Sequence, residues 1–245
     1  MTLALNQAAQ RWRVRLTEDR PVLGVVQTLA STNLVSLAAA AGFDFIIVDD
    51  EHGEGDCESH AELLTAIEAG GLLSAVRLKP CDFDGAARYG ALGAGALFLA
   101  NVEGVGDVNR LAEAAASRSG APLLFAMIES RAGAEDLPGI VAADQLAGLV
   151  IGPNDLARDL GQSELQSEAL MAVVASIEAE ARSHALLLGS GVYPGFTLER
   201  LLNAGHDLIV VASDIGAIGK TWTAAIDETR AAVAAWRDGE PPCAD

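Results

Sequence analysis

The stretch LLFAMIESRAGAEDLPGIVAADQLAGLVIG, residues 123–152, has a continuous apolar run at each end, at 123–129 and 146–152. Each run is bounded by Gly, Pro or acidic residues, which is typical of a strand that is buried on both faces. Six further runs of this kind recur along the chain, at 21–27, 45–49, 74–78, 96–101, 185–191 and 207–213. The sequence therefore predicts eight strands.

Segments with helical periodicity separate these strands, and several of them end in glycine. Examples are found at 33–42, 58–70, 107–120 and 167–185, and 216–240 is predicted to be the last helix. Eight β-α units in 245 residues predict an α/β fold, a single-domain (β/α)8 TIM barrel that spans residues 1–245. An open, doubly wound sheet is the alternative.

Charge and hydropathy exclude several classes of partner. The chain has 16 Lys and Arg against 34 Asp and Glu, and it has no basic run, which excludes nucleic acid as a partner. No stretch reaches the roughly 18 apolar residues of a membrane-spanning helix. Arginines follow the weak apolar run at the N-terminus, the reverse of a signal peptide, so we expect a cytoplasmic protein.

Cysteines and lysines limit the possible chemistry. The three cysteines lack the CxxC spacing of metal sites, and we expect incidental thiols at Cys57, Cys81 and Cys243. Lys79 and Lys220 are the only lysines. A mechanism that needs a catalytic lysine therefore has two candidates.

Polar residues concentrate at the ends of the predicted strands, where a parallel barrel places its chemistry. They are Asp49, Asp50, Glu51 and His52 after the second strand, Arg77 in the third, Glu129 after the fifth, Asn154 and Asp155 after the sixth, and Ser213 and Asp214 after the eighth. We therefore expect the functional site at this end of the barrel.

Glu129 and Asp155 follow neighbouring strands. Both carboxylates would suit a hard divalent cation, which binds one or two carboxylates together with water and substrate oxygens. The alternative is structural: Glu129 pairs with an arginine such as Arg131, and Asp155 caps the helix that begins near Leu156. The spacing alone leaves both interpretations open.

His52 lies in a loop after an apolar strand, where an imidazole can act as base or acid near neutral pH. The alternative is a loop histidine that is hydrogen-bonded to the acidic cluster. The other three histidines, His60, His184 and His206, are expected at the surface or in packing. Arg77 offers a bidentate fork for a carboxylate or an enolate oxygen, or it forms a salt bridge with an acidic neighbour, and these roles are compatible.

Four segments in order resemble the HpcH/HpaI aldolases, which are metal-dependent class II pyruvate aldolases on a (β/α)8 barrel. They are AGFDFIIVDDEHGEGD at 41–56, AVRL at 75–78, MIESRAGAEDL at 127–137 and GLVIGPNDLARDLG at 148–161. The resemblance runs from about Val22 to Ile218.

The resemblance implies a role for each of five residues. Glu129 and Asp155 would be ligands of Mg²⁺ or Mn²⁺, His52 the base, and Arg77 the group that faces the pyruvyl oxygens. Asp49 would support the metal-bound water or the loop. The implied activity is an aldolase or lyase that forms or cleaves a 4-hydroxy-2-oxo acid through a pyruvate enolate, with a small 2-oxo acid and an aldehyde as substrates.

The resemblance also implies a homo-oligomer, a hexamer built from dimers, with the last helix exchanged between subunits. The apolar residues Ile218, Trp222 and Ile226 would form the exchanged face. Packing of this face on the chain's own barrel is the alternative.

Three positions depart from the family pattern. Asp50 replaces the usual glycine of DGEH, and Ala91 replaces the aspartate that pairs with the base histidine in the family. The connection at 117–122 is short, where most members have a long loop. We therefore expect His52 to work without its usual carboxylate partner and proton abstraction to be the weakened step, unless Asp49, Asp50 or Glu51 substitutes. Asp50 is the favoured substitute.

Two other functions are compatible with these residues. One is an acyl-CoA lyase of the citrate lyase beta type, which shares the barrel and the Glu/Asp metal pair. The other is a non-catalytic barrel subunit that binds an oxo acid without turnover, and Ala91 is the feature that favours it.

Overall fold

The computed structural model describes residues 5–18, 20–116 and 120–237. Its eight strands are β1 Val22–Gln27, β2 Phe45–Asp49, β3 Leu73–Leu78, β4 Ala96–Leu99, β5 Leu123–Ile128, β6 Gly148–Ile151, β7 Leu187–Gly191 and β8 Leu208–Ser213. Each strand is parallel to the next, and β8 pairs with β1 to close the barrel. The predicted (β/α)8 barrel is confirmed, and every strand begins and ends within two residues of the bounds of a predicted run.

The helices in the described ranges alternate with the strands along the chain. They are α1 Gln7–Leu16, α2 Thr32–Ala41, α3 Cys57–Ala69, α4 Phe83–Ala91, α5 Val105–Ala115, α6 Arg131–Glu135, α7 Leu137–Val141, α8 Pro153–Asp159, α9 Glu168–Ser183, α10 Leu198–Asn203 and α11 Asp214–Arg237. None of these described helices is both long enough and apolar enough to cross a membrane.

Helix α1 closes the amino-terminal end of the barrel. Its Trp12 is fully buried, and its indole N–H donates to the carbonyl oxygen of Ser74 at 2.9 Å. The indole ring packs against Phe45 and Phe125, with centroids 5.1 and 6.5 Å away. These aromatic rings fill the interior of the barrel at this end, so a ligand inside the barrel would lie at the carboxyl end of the strands.

Helix α11 touches the barrel mainly at its first residues. Asp214 is buried and accepts hydrogen bonds from the backbone N–H groups of Thr28 and Leu29 and from the Thr28 hydroxyl. Beyond this anchor the helix is exposed: Trp222 keeps 73% and Ile226 46% of its surface, and Ile218 is half-buried. Packing of this face on the chain's own barrel is therefore wrong for Trp222 and Ile226.

Candidate active site

A cavity of about 160 Å³ opens at the carboxyl ends of the strands. Its polar lining consists of His52, Arg77, Glu129, Asn154, Asp155, Ser190 and Tyr193. The fold thus brings together four of the five site residues predicted from the sequence. The fifth, Asp49, contacts Arg77 and lines a wider groove beside the cavity.

Asp49 and Arg77 form a buried ion pair at the rim of the barrel. They are direct partners in the β2–β3 ladder, and the Asp49 side chain is fully buried. Arg77 donates from Nε at 2.8 Å and from Nη2 at 2.6 Å, a bidentate pair. Burial opposes the charge of Arg77, but the hydrogen bonds and charge of Asp49 outweigh it and raise the pKa of the guanidinium. The predicted salt bridge is confirmed, and Nη1 is left on the side of Glu51, 3.4 Å from its Oε2.

Asp49 also holds the loop that carries His52. Its Oδ1 accepts the backbone N–H groups of Glu51 and His52, each at 3.2 Å. The same carboxylate therefore fixes the guanidinium of Arg77 and the backbone of His52, which is the loop-supporting role expected for it.

Glu129 lies just after β5 and is buried. Its Oε2 accepts the N–H of Asn101 at 3.0 Å. Burial, reinforced by the negative charges of Glu51 and Asp155, raises the pKa of Glu129 to about 7 against the effect of the Asn101 N–H. Within the described residues Glu129 makes no ion pair, so the proposed pairing with Arg131 is wrong.

Space for Glu129 depends on the glycine that follows β6. A Cβ at Gly152 would lie 2.4 Å from Oε1 of Glu129, far inside van der Waals contact. The glycine of the GPND sequence therefore allows the carboxylate to occupy the end of the barrel.

Asp155 lies in the first turn of α8, whose N-cap is Gly152. The predicted capping role is wrong, because its side chain pairs instead with Arg158 at 2.6 Å. Both partners are substantially exposed, and an exposed pair of this kind contributes at most about 1 kcal/mol. Asp155 can therefore exchange this contact for a ligand in the cavity.

The two carboxylates fit a divalent cation. They line one cavity, and the repulsion between them helps to raise the pKa of Glu129; a bound cation would relieve this repulsion. In the described part of the chain there is no group of three or more His, Cys, Asp and Glu side chains with metal-binding geometry. Mg²⁺ and Mn²⁺ suit such a donor set, because water and substrate oxygens complete their coordination.

His52 lines the cavity with its side chain 65% exposed. The nearest carboxylate oxygen is Oε2 of Glu51, 3.9 Å from His52 Nε2. Burial raises the pKa of Glu51, while Arg77 and His52 oppose the shift. Glu51, not Asp50, is thus the acidic residue closest to the imidazole.

Asp50 is engaged elsewhere, in a buried network that sequence analysis missed. Its Oδ1 accepts the Tyr89 hydroxyl at 2.8 Å, and the same hydroxyl lies 2.7 Å from Nδ1 of His60. His60 Nε2 is 3.2 Å from the carbonyl oxygen of Glu54. The expectation that Asp50 partners His52 is therefore wrong. The sequence feature that could have indicated this network is Tyr89, which lies two residues before Ala91 on α4 and can donate a hydrogen bond to a carboxylate.

The remaining candidates lie away from the cavity. Lys79 is exposed and is not among the residues that line the cavity, whereas Lys220 lines the wider groove. Cys57 and Cys81 are exposed free thiols, and Cys243 lies outside the described residues. His206 is buried against Glu178, and His184 lies at the surface.

Tyr193 lines the cavity and was also missed from the sequence. It begins a turn after β7 in which Gly195 has φ +89°. The sequence GVYPG at 191–195 carried the signal, since Pro followed by Gly is typical of a type II turn.

Comparisons with known proteins identify the family of this chain. The family model "HpcH/HpaI aldolase/citrate lyase" matches residues 24–218. A hydroxypyruvate/pyruvate aldolase of Agrobacterium fabrum is 24% identical over 95% of both chains. A 4-hydroxy-2-oxo-heptane-1,7-dioate aldolase of Salmonella arizonae is 24% identical over 81% of this chain and 86% of its own.

A solved structure shares the fold. It is an HpcH/HpaI aldolase/citrate lyase family protein from Burkholderia cenocepacia, with a TM-score of 0.81 and 22% identity over 91% of this chain and all of its own. The family model covers most of the barrel, including every residue of the cavity described above. The chain belongs to the HpcH/HpaI aldolase/citrate lyase family.

Proposed function

We propose that this protein is a divalent-metal-dependent aldolase that forms or cleaves a 4-hydroxy-2-oxo acid through the enolate of pyruvate or a similar small 2-oxo acid. The observation that carries the proposal is the single cavity that combines Glu129 and Asp155 with Arg77 and His52. The names of the Agrobacterium and Salmonella relatives, both aldolases, support it.

Glu129 and Asp155 would hold Mg²⁺ or Mn²⁺ in this proposal. The cation would supply Lewis-acid polarisation of the oxo acid and so make its C3 protons more acidic. Asn101 orients the carboxylate of Glu129 through its backbone N–H. Asp155 would leave its exposed pair with Arg158.

Arg77 stabilises the negative charge of the enolate oxygen. Asp49 fixes the guanidinium through Nε and Nη2, and Nη1, which lies 3.4 Å from Glu51 Oε2, would leave this pair to contact the substrate. A donor held in this way needs no reorganisation when charge develops, which is the basis of electrostatic stabilisation in active sites.

His52 removes the C3 proton and returns it in the reverse direction. Asp49 holds its backbone, and Glu51 is close enough to stabilise the imidazolium. Because the imidazole is mostly exposed, it can exchange the proton with solvent.

Pyruvate release from a panel of 4-hydroxy-2-oxo acids, with and without Mg²⁺ or Mn²⁺, tests the proposal. We expect release with metal and loss of activity on chelation. Activity that is indifferent to EDTA, with pyruvate trapped on Lys79 by borohydride, would contradict it.

The non-catalytic alternative has one observation in its favour. Ala91 offers no carboxylate to His52, and Glu51 is 3.9 Å away, beyond a hydrogen bond. Exchange of pyruvate methyl protons with D₂O decides between the two functions. Binding of metal and pyruvate without exchange would favour a binding subunit.

We also propose a homo-oligomer in which the exposed face of α11 packs on a second copy. Trp222, Ile226 and Val233 are exposed on this helix, and a folded monomer rarely leaves such apolar residues uncovered in a row. The cytoplasmic location and the hexameric state stay predictions.

A further inference from the structure

Tyr193 is fixed against the inner wall of the cavity. A Cβ at Gly191 would lie 2.5 Å from Cε2 and 2.7 Å from the hydroxyl oxygen of Tyr193. The distal end of the phenol ring therefore packs on the bare backbone of Gly191. A side chain at that position would displace it.

The turn that carries Tyr193 is well anchored. The Tyr193 N–H donates to Phe196 O at 3.1 Å, and the Phe196 N–H donates to Tyr193 O at 2.9 Å. The ring of Phe196 is fully buried, and the Arg200 guanidinium lies 4.6 Å from its centroid. Tyr193 thus projects from a closed turn whose other end is held in the core.

Within the described residues, the Tyr193 hydroxyl has no hydrogen-bond partner. Burial raises the pKa of the phenol; Arg77 opposes the shift, and the charges of Glu129 and Asp155 add to it. The hydroxyl therefore stays protonated at neutral pH and is a free donor in a cavity that is otherwise rich in acceptors.

Tyr193 lies where the cavity meets the wider groove of about 1090 Å³. Tyr193, His52 and Arg77 line both spaces. Glu129 and Asp155, the proposed metal ligands, line the inner cavity only. An oxo acid bound beside them would leave the groove as the approach for the second reactant.

We propose that the hydroxyl of Tyr193 donates a hydrogen bond to the carbonyl oxygen of the aldehyde. When the enolate C3 bonds to the aldehyde carbon, the C=O π bond breaks, and this oxygen takes the proton that His52 removed from C3 and becomes the C4 hydroxyl of the product. This inference rests on the proposed aldolase function. Tyr193 would orient and polarise the electrophile without contacting the oxo acid. Its role is thus confined to the formation or cleavage of the carbon–carbon bond.

The experiment compares two rates in Tyr193→Phe, with Mg²⁺ or Mn²⁺ present. One is the exchange of pyruvate methyl protons with D₂O, which reports enolate formation. The other is the cleavage of a 4-hydroxy-2-oxo acid. We expect exchange within about twofold of wild type, and kcat/KM for cleavage about 10- to 100-fold lower, as for the loss of one transition-state hydrogen bond.

Gly191→Ala provides a second variant that keeps the hydroxyl but displaces the ring. It should show the same pattern, exchange retained and cleavage reduced, while thermal unfolding checks that both variants are folded. Equal losses of exchange and cleavage in Tyr193→Phe would show that the hydroxyl contacts the oxo acid. If neither rate falls, the hydroxyl has no role in the reaction. Both results overturn the inference. Wild-type protein that shows no exchange would instead refute the aldolase function itself.

Discussion

Removal of the Tyr89 hydroxyl tests whether the buried network beneath the His52 loop stabilises the protein. Tyr89→Phe keeps the ring and removes one oxygen that contacts His60 Nδ1 at 2.7 Å and Asp50 Oδ1 at 2.8 Å. His60 and Tyr89 are fully or almost fully buried. The substitution therefore removes the hydroxyl that joins His60 Nδ1 and Asp50 Oδ1, which lie 3.4 Å from each other, in a site that water does not readily reach.

The expected cost follows from these contacts. A neutral hydrogen bond contributes about 0.5–1.5 kcal/mol and one to a charged group about 1.5–3 kcal/mol, so the loss of both should lower the free energy of unfolding by about 2–4 kcal/mol. For a chain of this size, that corresponds to a fall in Tm of roughly 4–16 °C. Burial and the hydrogen bond to Asp50 raise the pKa of Tyr89, so the hydroxyl is protonated at pH 7.

Urea unfolding at pH 7 measures the change, and Tyr193→Phe is the matched control. It removes the other tyrosine hydroxyl, which has no partner among the described residues, and should change stability by less than about 0.5 kcal/mol. Equal stability of the two variants would show that the network contributes nothing. Because Asp50 and Glu54 flank His52, Tyr89→Phe should also slow methyl-proton exchange more than it raises the KM for pyruvate.

Three further predictions concern other regions. Glu129→Gln should weaken Mn²⁺ binding, measured by calorimetry, by at least about tenfold, because it removes a charged ligand; unchanged binding would exclude Glu129 as a ligand. Trp222→Asp should reduce the oligomer mass seen by light scattering, and a wild-type monomer at micromolar concentration would refute the exchanged helix. Burial opposes ionisation of Asp44, but hydrogen bonds from Leu23 N–H and Arg15 lower its pKa. This stabilisation is complete above the unfolded pKa and is lost as pH falls through the folded pKa. Asp44→Asn should therefore lower the free energy of unfolding by about 1–3 kcal/mol at pH 7. The difference between variant and wild type, measured by urea titration, should become smaller below about pH 4.

The barrel and most of the cavity were predictable because their signals are local. Apolar runs mark the strands, and the rule that chemistry lies at the carboxyl ends then selects residues such as Arg77 and Glu129 without knowledge of long-range contacts. The family match confirms the predicted resemblance. The roles of the individual residues stay predictions.

The partner of His52 could not be predicted in the same way. Asp50 and Glu51 are adjacent in an irregular loop, so no periodicity indicates which of them points toward the imidazole. The direction of Asp50 depends on Tyr89, which is 39 residues away in the chain. Likewise, composition cannot distinguish an apolar helix face that packs on its own barrel from one that is left exposed, as in α11.

The charge of the cavity favours an order of binding. Asp49 neutralises Arg77 through its bidentate pair, while the nearby carboxylates of Glu51, Glu129 and Asp155 share Nη1 of Arg77 and the exposed Arg158 as their cationic partners. Burial, with repulsion between these carboxylates, raises the pKa of both Glu51 and Glu129, so an anionic oxo acid gains less from Arg77 than it would from an unpaired guanidinium. A divalent cation on Glu129 and Asp155 would compensate the charges of these two carboxylates, so that the positive charge of Arg77 would attract the substrate more strongly. We therefore expect the metal to bind before the oxo acid, because the described residues around the cavity carry more negative than positive charge.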